Sequence, residues 1–171
     1  PANVSLKGHS PHDTRIIGDL NGPVLRIEGD ANSLPVEISN LSVTKGTTGI
    51  EMDGGDLRVA NVVIYDNTGD GLVALSGKLD AENNTICHNY GYGISSLTEP
   101  VDTKLRNNLV GENWGGIVFV DGSLVEYNSA WGSDPYENYG LGALGEGNGS
   151  GISLFLDVGN GNYQVTTGSA G

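Results

Sequence analysis

The sequence has little of what commonly holds a small fold together. It contains a single cysteine, Cys87, so an intrachain disulfide is excluded. Hydrophobic residues make up 37% of the chain, which is a small supply for an ordinary globular core. No apolar run is long enough to cross a bilayer as a helix, so the sequence also predicts no transmembrane segment.

Basic residues are scarce and unevenly placed. The chain has eight Lys and Arg against 21 Asp and Glu, a net charge of −13, and every basic residue lies at or before Arg106. From Asn107 onward only acids carry charge: Glu112, Asp121, Glu126, Asp134, Glu137, Glu146 and Asp157. Such a surface repels nucleic acid, so we expect no nucleic-acid partner. A solvated acidic face that attracts cations is the simplest interpretation.

What the sequence does have is an internal repeat. A five-residue segment that ends in Asn occurs at residues 36–40, 57–61, 79–83, 103–107 and 124–128. The steps between the Asn positions are 21, 22, 24 and 21 residues. An apolar residue follows each Asn by three positions: Val43, Ile64, Ile86, Val110 and Trp131. Four copies then carry Gly46, Asn67, Asn89 and Asn113, followed by Gly and an aliphatic residue at 49–50, 71–72, 93–94 and 116–117.

This repeat predicts an all-β fold, a right-handed parallel β-helix. Apolar residues two apart mark strands with one buried face, and Asn and Gly tolerate the left-handed backbone of tight corners. Stacked copies form parallel sheets at roughly 4.8 Å per coil, and about six or seven coils fit the chain. We expect a single domain over residues 1–171, in which Asn side chains at equivalent corners stack into an internal ladder.

Outward positions of the predicted strands alternate in charge. Glu37, Arg58, Asp80 and Lys104 share one column, and Glu82 faces Arg106 in the next. Opposite charges on neighbouring strands stabilise by about 0.2–1 kcal/mol each. We therefore interpret these charges as structural pairs that favour one register.

Three stretches resemble the right-handed parallel β-helix repeat proteins, the superfamily that includes pectate lyases and related polysaccharide-active enzymes. The entry at residues 4–8, 14–18 and 25–27 is similar to the first coils of such proteins, and residues 57–72 and 79–94 match the repeat. Residues 154–157, 161–165 and 168–170 resemble the closing segment of secreted bacterial members, which usually has Pro at the position of Ser153 and between Ser169 and Ala170. The resemblance implies an extracellular or cell-surface location. Since the chain starts at Pro1 without Met and this ending is cut short, we expect an excised or processed piece of a longer protein.

The same resemblance implies what a reaction would need. Polysaccharide lyases of this superfamily use a basic residue as proton abstractor and clustered acids that bind Ca²⁺. The candidate bases are Arg58, Lys104 and Arg106, beside Asp80 and Glu82. The charge ladder explains these residues without catalysis, so no catalytic set stands out. The carboxylate pair of a hydrolase has no defined position in the sequence either.

The longest interruption of the repeat predicts a loop insertion at residues 132–150. Eight of the eleven aromatic residues fall between Tyr90 and Tyr139. Trp114, Tyr136 and Tyr139 are the predicted carbohydrate-binding residues, because exposed aromatic faces can stack on sugar rings. Trp131 is expected in the core at the position of Val110. Ca²⁺ is the one cofactor for which the sequence offers donors, with Asp134, Glu137 and Glu146 as candidate metal ligands.

The histidines and the cysteine carry no recognisable site signature. His9, His12 and His88 match no metal-binding spacing and are expected in surface loops. Cys87 has no His partner at motif spacing, which predicts a passive thiol rather than a nucleophile.

Four Asn-X-Ser/Thr sequons are present. Two of them, at Asn40 and Asn83, fall on the predicted ladder, where the side chain would point inward. Asn3 and Asn148 therefore remain as the glycosylation candidates.

Two functions fit the sequence, and the first is favoured. It is a non-catalytic extracellular scaffold that associates with glycans or assembles end to end with copies of itself into a surface structure or fibre, because open coil ends expose unpaired strands. The alternative is a polysaccharide lyase, epimerase or hydrolase, or a fragment of one, and it depends on the resemblance alone.

Overall fold

The structure is a computed structural model that describes residues 4–30, 33–96 and 101–119. Beyond these it describes the backbone of the strands at 123–126, 129–132, 143–144, 155–157 and 162–165. This part of the chain consists of strands and turns and contains no helix, hence none that could span a membrane.

Sixteen strands are described. In chain order they are β1 (Val4–Lys7), β2 (Arg15–Ile17), β3 (Leu25–Glu28), β4 (Val36–Thr44), β5 (Ile50–Tyr65), β6 (Leu72–Glu82), β7 (Thr85–Cys87), β8 (Tyr92–Ser96), β9 (Asp102–Arg106), β10 (Leu109–Asn113), β11 (Gly115–Phe119), β12 (Ser123–Glu126), β13 (Ser129–Gly132), β14 (Ala143–Leu144), β15 (Phe155–Asp157) and β16 (Asn162–Val165). Only β15 and β16 pair antiparallel, and all other described pairs are parallel.

The parallel pairs join strands one repeat apart, so each repeat forms one coil. Val43 lies opposite Ile64, Ile64 opposite Ile86, and Ile86 opposite Val110. Each coil has three strands, and the long strand β5 continues around a corner from the third strand of one coil into the first and second strands of the next. The predicted parallel β-helix is therefore confirmed.

About four coils, from residue 36 to 119, are described along all three of their strands, and β1–β3 precede them. The prediction of six or seven coils concerns the whole chain, much of which lies beyond these residues. The predicted insertion at 132–150 also lies largely outside the described part, apart from Gly132 in β13 and the short strand β14.

The core is a column of aliphatic side chains inside the coils. Inward positions two residues apart are fully buried, as the alternation predicts: Ile38, Leu41, Val43, Ile50, Met52, Leu57, Val59, Val62, Ile64, Leu72, Leu79, Ile86, Ile94, Leu105, Val110 and Ile117. The hydrophobic content of the chain is modest, but the hydrophobic residues are concentrated on the inward face of each strand.

The fifth copy of the repeat was predicted one residue out of register. Glu126 lies opposite Arg106, and Val125 lies opposite Leu105. Ala130, rather than Trp131, lies opposite Val110. The repeat predicts Asn128 opposite Asn107, but the coil step here is one residue shorter. A one-residue shift exchanges the two faces of a strand.

The Asn residues at the first corner point outward, which corrects the sequence-based prediction. Asn40, Asn61, Asn83 and Asn107 have positive φ angles of 54–56°. This left-handed backbone turns their side chains away from the core, and Asn83 is exposed. Asn83 is therefore accessible, and the prediction that its side chain points inward is wrong.

The internal ladder is built from other Asn residues. At the second corner Asn67, Asn89 and Asn113 are buried and stacked, with Nδ2 of Asn67 donating to Oδ1 of Asn89 at 2.8 Å and Nδ2 of Asn89 donating to Oδ1 of Asn113 at 2.9 Å. Asn84 and Asn108 form a second buried pair, 2.9 Å apart, next to the first corner. The predicted asparagine ladder exists, and these residues also donate to or accept from the corner backbone.

The outward charge columns have the predicted register. Glu37 lies opposite Arg58, Arg58 opposite Asp80, and Asp80 opposite Lys104. The closest ion pairs run diagonally between the columns, from Arg58 to Glu82 at 3.8 Å and from Arg106 to Asp80 at 3.6 Å. These residues therefore form a structural charge ladder on the outward face of the first strand of each coil.

The glycine that opens each third strand is required by packing. A Cβ on Gly71 would lie 2.5 Å from Cγ2 of Ile86, 2.7 Å from the backbone oxygen of Gly93 and 2.9 Å from Nδ2 of Asn89. We expect Gly71→Ala to lower the free energy of unfolding by about 2–3 kcal/mol, because the side chain would displace both core and ladder. Gly22→Ala is the matched control, since nothing lies within 4 Å of its Cβ position. Chemical denaturation of both variants tests this, and equal stability would contradict the packing argument.

Candidate functional site

The second corner of the coils carries a column of ionisable side chains. Lys45, Asp66, His88 and Glu112 occupy equivalent positions in four successive coils, each just before the buried position of Gly46, Asn67, Asn89 or Asn113. All four have positive φ angles, of 65°, 52°, 56° and 56°. The column points outward because the same left-handed turn operates here as at the first corner.

Neighbours in this column contact each other in pairs. Nζ of Lys45 donates to Oδ2 of Asp66 at 3.1 Å. Nε2 of His88 is in close contact with Oε2 of Glu112. The side chains of all four are between about a third and about a half exposed, so they remain within reach of a ligand.

The choice of residues at this corner is not the one that favours stability most. The first corner uses Asn in all four described coils, and Asn tolerates the left-handed region far better than Lys or Glu does. A half-exposed ion pair returns only about 0–1 kcal/mol. Local backbone strain held by ionisable side chains is a feature that concentrates at binding sites.

Two exposed aromatic side chains lie beside this column. Tyr90 and Trp114 are 79% and 52% exposed. They occupy equivalent positions in adjacent coils, as the backbone bonds from Tyr90 to Asn67 at 3.0 Å and from Trp114 to Asn89 at 3.1 Å show. Their backbones are thus one strand spacing apart, roughly 4.8 Å. Large aromatic residues so exposed, on adjacent coils, mark a surface suited to binding.

Trp114 is held in position by a second tyrosine. The rings of Tyr92 and Trp114 meet edge to face, with centroids 5.2 Å apart and planes at 78°. Gly115 follows Trp114, and a Cβ at that position would overlap the Tyr92 ring. The glycine therefore admits the ring that supports the indole, and Trp114 remains 52% exposed.

The column and the aromatic residues enclose a shallow cavity of about 310 Å³. Its lining consists of Asp66, His88, Asn89, Tyr90, Glu112, Asn113 and Trp114. The two Asn side chains are engaged in the ladder and hold the corner in place. The groups available to a ligand are thus two aromatic rings, two carboxylates and an imidazole.

A second cavity, of about 460 Å³, lies at the third corner. It is lined by glycines together with Asp30, Asp56 and Ser76 and has no aromatic side chain. With no ring to stack on, it lacks the combination found at the second corner.

The sequence-predicted site residues fall into three groups. Trp114 lies in the cavity described above, whereas Tyr136 and Tyr139 lie outside the described residues. Arg58, Lys104 and Arg106 lie together on the first strands, where both arginines pair with acids of the charge ladder.

The candidate metal ligands and glycosylation sites form the third group. Asp134, Glu137 and Glu146, like Asn3 and Asn148, lie outside the described residues. Within the described ranges, no three His, Cys, Asp or Glu side chains are close enough together to hold a metal ion.

Sequence reasoning did not identify Asp66, His88, Tyr90 and Glu112 as site residues. The repeat held the necessary signal, because the positions immediately before and after Asn67, Asn89 and Asn113 align in every copy. The positions before these Asn residues form the ionisable column, and the positions after Asn89 and Asn113 hold the two aromatic residues.

Cys87 lies directly before His88 but is not available for chemistry. Burial raises the pKa of its thiol, and the nearby carboxylates of Glu112 and Asp66 raise it further. We expect alkylation by iodoacetamide at pH 8 to be roughly 100-fold slower in the native protein than in the unfolded chain, since reaction requires opening. Mass spectrometry over time measures this. Equal rates in the two states would contradict the burial.

A parallel β-solenoid with an aromatic-lined corner defines the class of this protein. A family model described as the right-handed β-helix region matches residues 14–156, well over half of the chain. The chain therefore belongs to the right-handed β-helix family, which confirms the resemblance drawn from the repeat and is consistent with the pectate-lyase-like superfamily. Comparisons with curated proteins and with solved structures found no match.

Proposed function

We propose that this protein is a non-catalytic extracellular β-helix scaffold that binds glycans at its second corner. One observation carries the proposal: Tyr90 and Trp114, both exposed, lie on adjacent coils beside a cavity that holds the carboxylates of Asp66 and Glu112. Aromatic faces stack on the apolar faces of sugar rings, and carboxylates accept hydrogen bonds from sugar hydroxyl groups.

The coil geometry suits an extended polymer. Equivalent side chains repeat at the strand spacing along the axis of the solenoid, so a chain of sugars that lies along the axis can meet successive members of the same corner column. The corner backbone is held by the buried Asn ladder and by the Tyr92 contact, which limits the ordering that binding would otherwise require.

The alternative function, a polysaccharide lyase or related enzyme, has weaker support. Two of its candidate bases, Arg58 and Arg106, form ion pairs with Glu82 and Asp80. They lie on the strand face of the ladder rather than in the aromatic-lined cavity. A structural role accounts for each of these contacts without a reaction.

A glycan screen followed by titration calorimetry tests the proposal. We expect at least one neutral hexasaccharide to bind with a dissociation constant in the micromolar to millimolar range, with the oligosaccharide recovered intact. Failure of every glycan class to bind would contradict the proposal, and chain cleavage during the titration would favour the enzyme.

Substitution at Glu112 separates binding from stability. We expect Glu112→Asn to leave the free energy of unfolding unchanged or to raise it by up to about 1 kcal/mol, because Asn suits the positive φ and the lost pair with His88 is half exposed. Glycan affinity should fall at least tenfold, since a hydrogen-bonding carboxylate is lost. Asp102→Asn, which removes an exposed carboxylate that does not line the cavity, is the control and should keep its affinity. A large loss of stability in Glu112→Asn would show that the carboxylate is structural.

End-to-end assembly is a second candidate, favoured by the first coil. The strands β1, β2 and β3 pair with later coils on one side only, within the part of the chain described here. Val4 and Ile17 on this edge are 60% and 63% exposed. Unpaired strand edges with apolar side chains promote pairing with other chains. Sedimentation over a range of protein concentrations tests it, and a monomer at all concentrations would remove this candidate.

A further inference from the structure

We propose, on the basis of the glycan-binding function, that the corner site selects uncharged sugar chains and rejects polyuronates. This goes further than glycan binding, because it states which chemical class the site accepts. The charges of the cavity and of its surroundings carry the inference.

The lining of the cavity has two acids but no Lys or Arg. Asp66 and Glu112 contribute two carboxylates, and His88 is the one lining group that can carry positive charge. The nearest cation in the column, Lys45, already donates to Asp66 and does not line the cavity. A ligand carboxylate placed here would meet like charge without a cation free to neutralise it.

The wider sequence reinforces this local imbalance. No Lys or Arg follows Arg106, so the coil that carries Glu112 and Trp114 is followed by a stretch of sequence in which every charged residue is acidic. The chain as a whole has a net charge of −13. The long-range field therefore also opposes the approach of a polyanion and lowers its association rate.

The hydrogen-bonding chemistry selects in the same direction. A carboxylate is an acceptor only, so it needs a ligand that donates. The hydroxyl groups of a neutral sugar supply donors. In an ionised uronate the C6 hydroxyl group is replaced by a carboxylate, which can only accept hydrogen bonds. Stacking on Tyr90 and Trp114 does not distinguish the two sugars, because both present the same ring faces.

The basic residues of the charge ladder lie on a different surface from the cavity. Arg58, Lys104 and Arg106 share the face of the first strands, where carboxylates of the ladder accompany them. A polyuronate would meet basic side chains on that face, accompanied by acids, whereas the lining of the aromatic corner contains no Lys or Arg. Whether the preferred oligosaccharide is neutral or anionic therefore indicates which of the two surfaces binds it.

Matched oligosaccharides test the inference. The probes are the β-1,4-linked hexasaccharides of glucose, mannose, galactose and N-acetylglucosamine, each paired with the same compound after oxidation of its C6 hydroxyl groups to carboxylates. Calorimetry at low salt should give at least about tenfold weaker binding for the oxidised member of any pair that binds. The gap should narrow at high salt as the repulsion is screened.

A charge-removing variant provides the internal control. In Glu112→Gln combined with Asp66→Asn, the shape of the cavity is kept and the preference for the neutral member should shrink. Arg58→Gln, on the other face, should leave it unchanged. An oxidised hexasaccharide that binds as tightly as its neutral partner, or more tightly, would overturn the inference while leaving glycan binding intact. If no member of any pair binds, the proposed function fails together with the inference.

Discussion

Replacing Trp114 with alanine is expected to weaken glycan binding by roughly 30- to 100-fold, equivalent to about 2–3 kcal/mol. The indole is 52% exposed and stands on the Tyr92 ring, so it offers a large preformed face at little conformational cost. Its removal also opens one wall of the cavity. Titration calorimetry with the tightest neutral ligand from the screen measures the loss.

The controls for this prediction separate stacking from folding. Since Trp114 is half exposed, the alanine variant should lose less than about 1 kcal/mol of stability. Trp114→Tyr should recover part of the affinity, because a ring is restored. Ile17→Ala removes an apolar side chain of comparable exposure from the first coil and should bind as the unaltered protein does. Unchanged affinity in Trp114→Ala would remove the main support for the site.

The second large effect is expected in the buried ladder. Oδ1 of Asn89 accepts from the backbone nitrogen of Asn67 at 3.1 Å and from its side chain at 2.8 Å, and Nδ2 of Asn89 donates to Asn113 at 2.9 Å. Asn89→Ala would remove the acceptor of the buried Asn67 backbone nitrogen. It would also remove the bonds that Nδ2 of Asn89 donates to Asn113 and to the backbone oxygens of Ile64 and Cys87. We expect the free energy of unfolding to fall by about 3–5 kcal/mol, since each unsatisfied buried group costs about 1–3 kcal/mol.

An Asn at the other corner is the matched comparison. Asn61→Gly keeps the left-handed turn and removes a single exposed hydrogen bond, the one that Asn61 donates to Asn40. It should change stability by less than about 1 kcal/mol. Urea denaturation of both variants decides the matter. Similar losses at Asn89 and Asn61 would contradict the assignment of the structural ladder to the inner column.

The fold could be predicted from the sequence because each coil corresponds to one copy of the sequence repeat. The steps of 21, 22 and 24 residues reappear as strand register, for example at Val43, Ile64, Ile86 and Val110. The orientation of the corner Asn residues could not be read in this way. Whether Asn40 points inward depends on a left-handed φ that the residue type permits but does not impose. The register error at Val125 has a related cause, since matching one residue type overlooked a shorter coil.

The candidate site was only partly predictable. Trp114 could be singled out because most of the aromatic residues fall between Tyr90 and Tyr139, but its partners in the cavity are ordinary polar residues in sequence. His88 becomes interesting only when stacking brings it against Glu112, 24 residues away. Long-range pairing of this kind is a property of coil register, and single-residue inspection does not detect it.

The most direct test of the central claim is a heteronuclear NMR titration of the labelled protein with the tightest neutral oligosaccharide. Backbone signals should shift at residues 88–90 and 112–115, and the sugar signals should show an intact chain throughout. Shifts centred on Arg58, Lys104 and Arg106, together with new sugar end groups, would contradict a glycan-binding scaffold and support an enzyme.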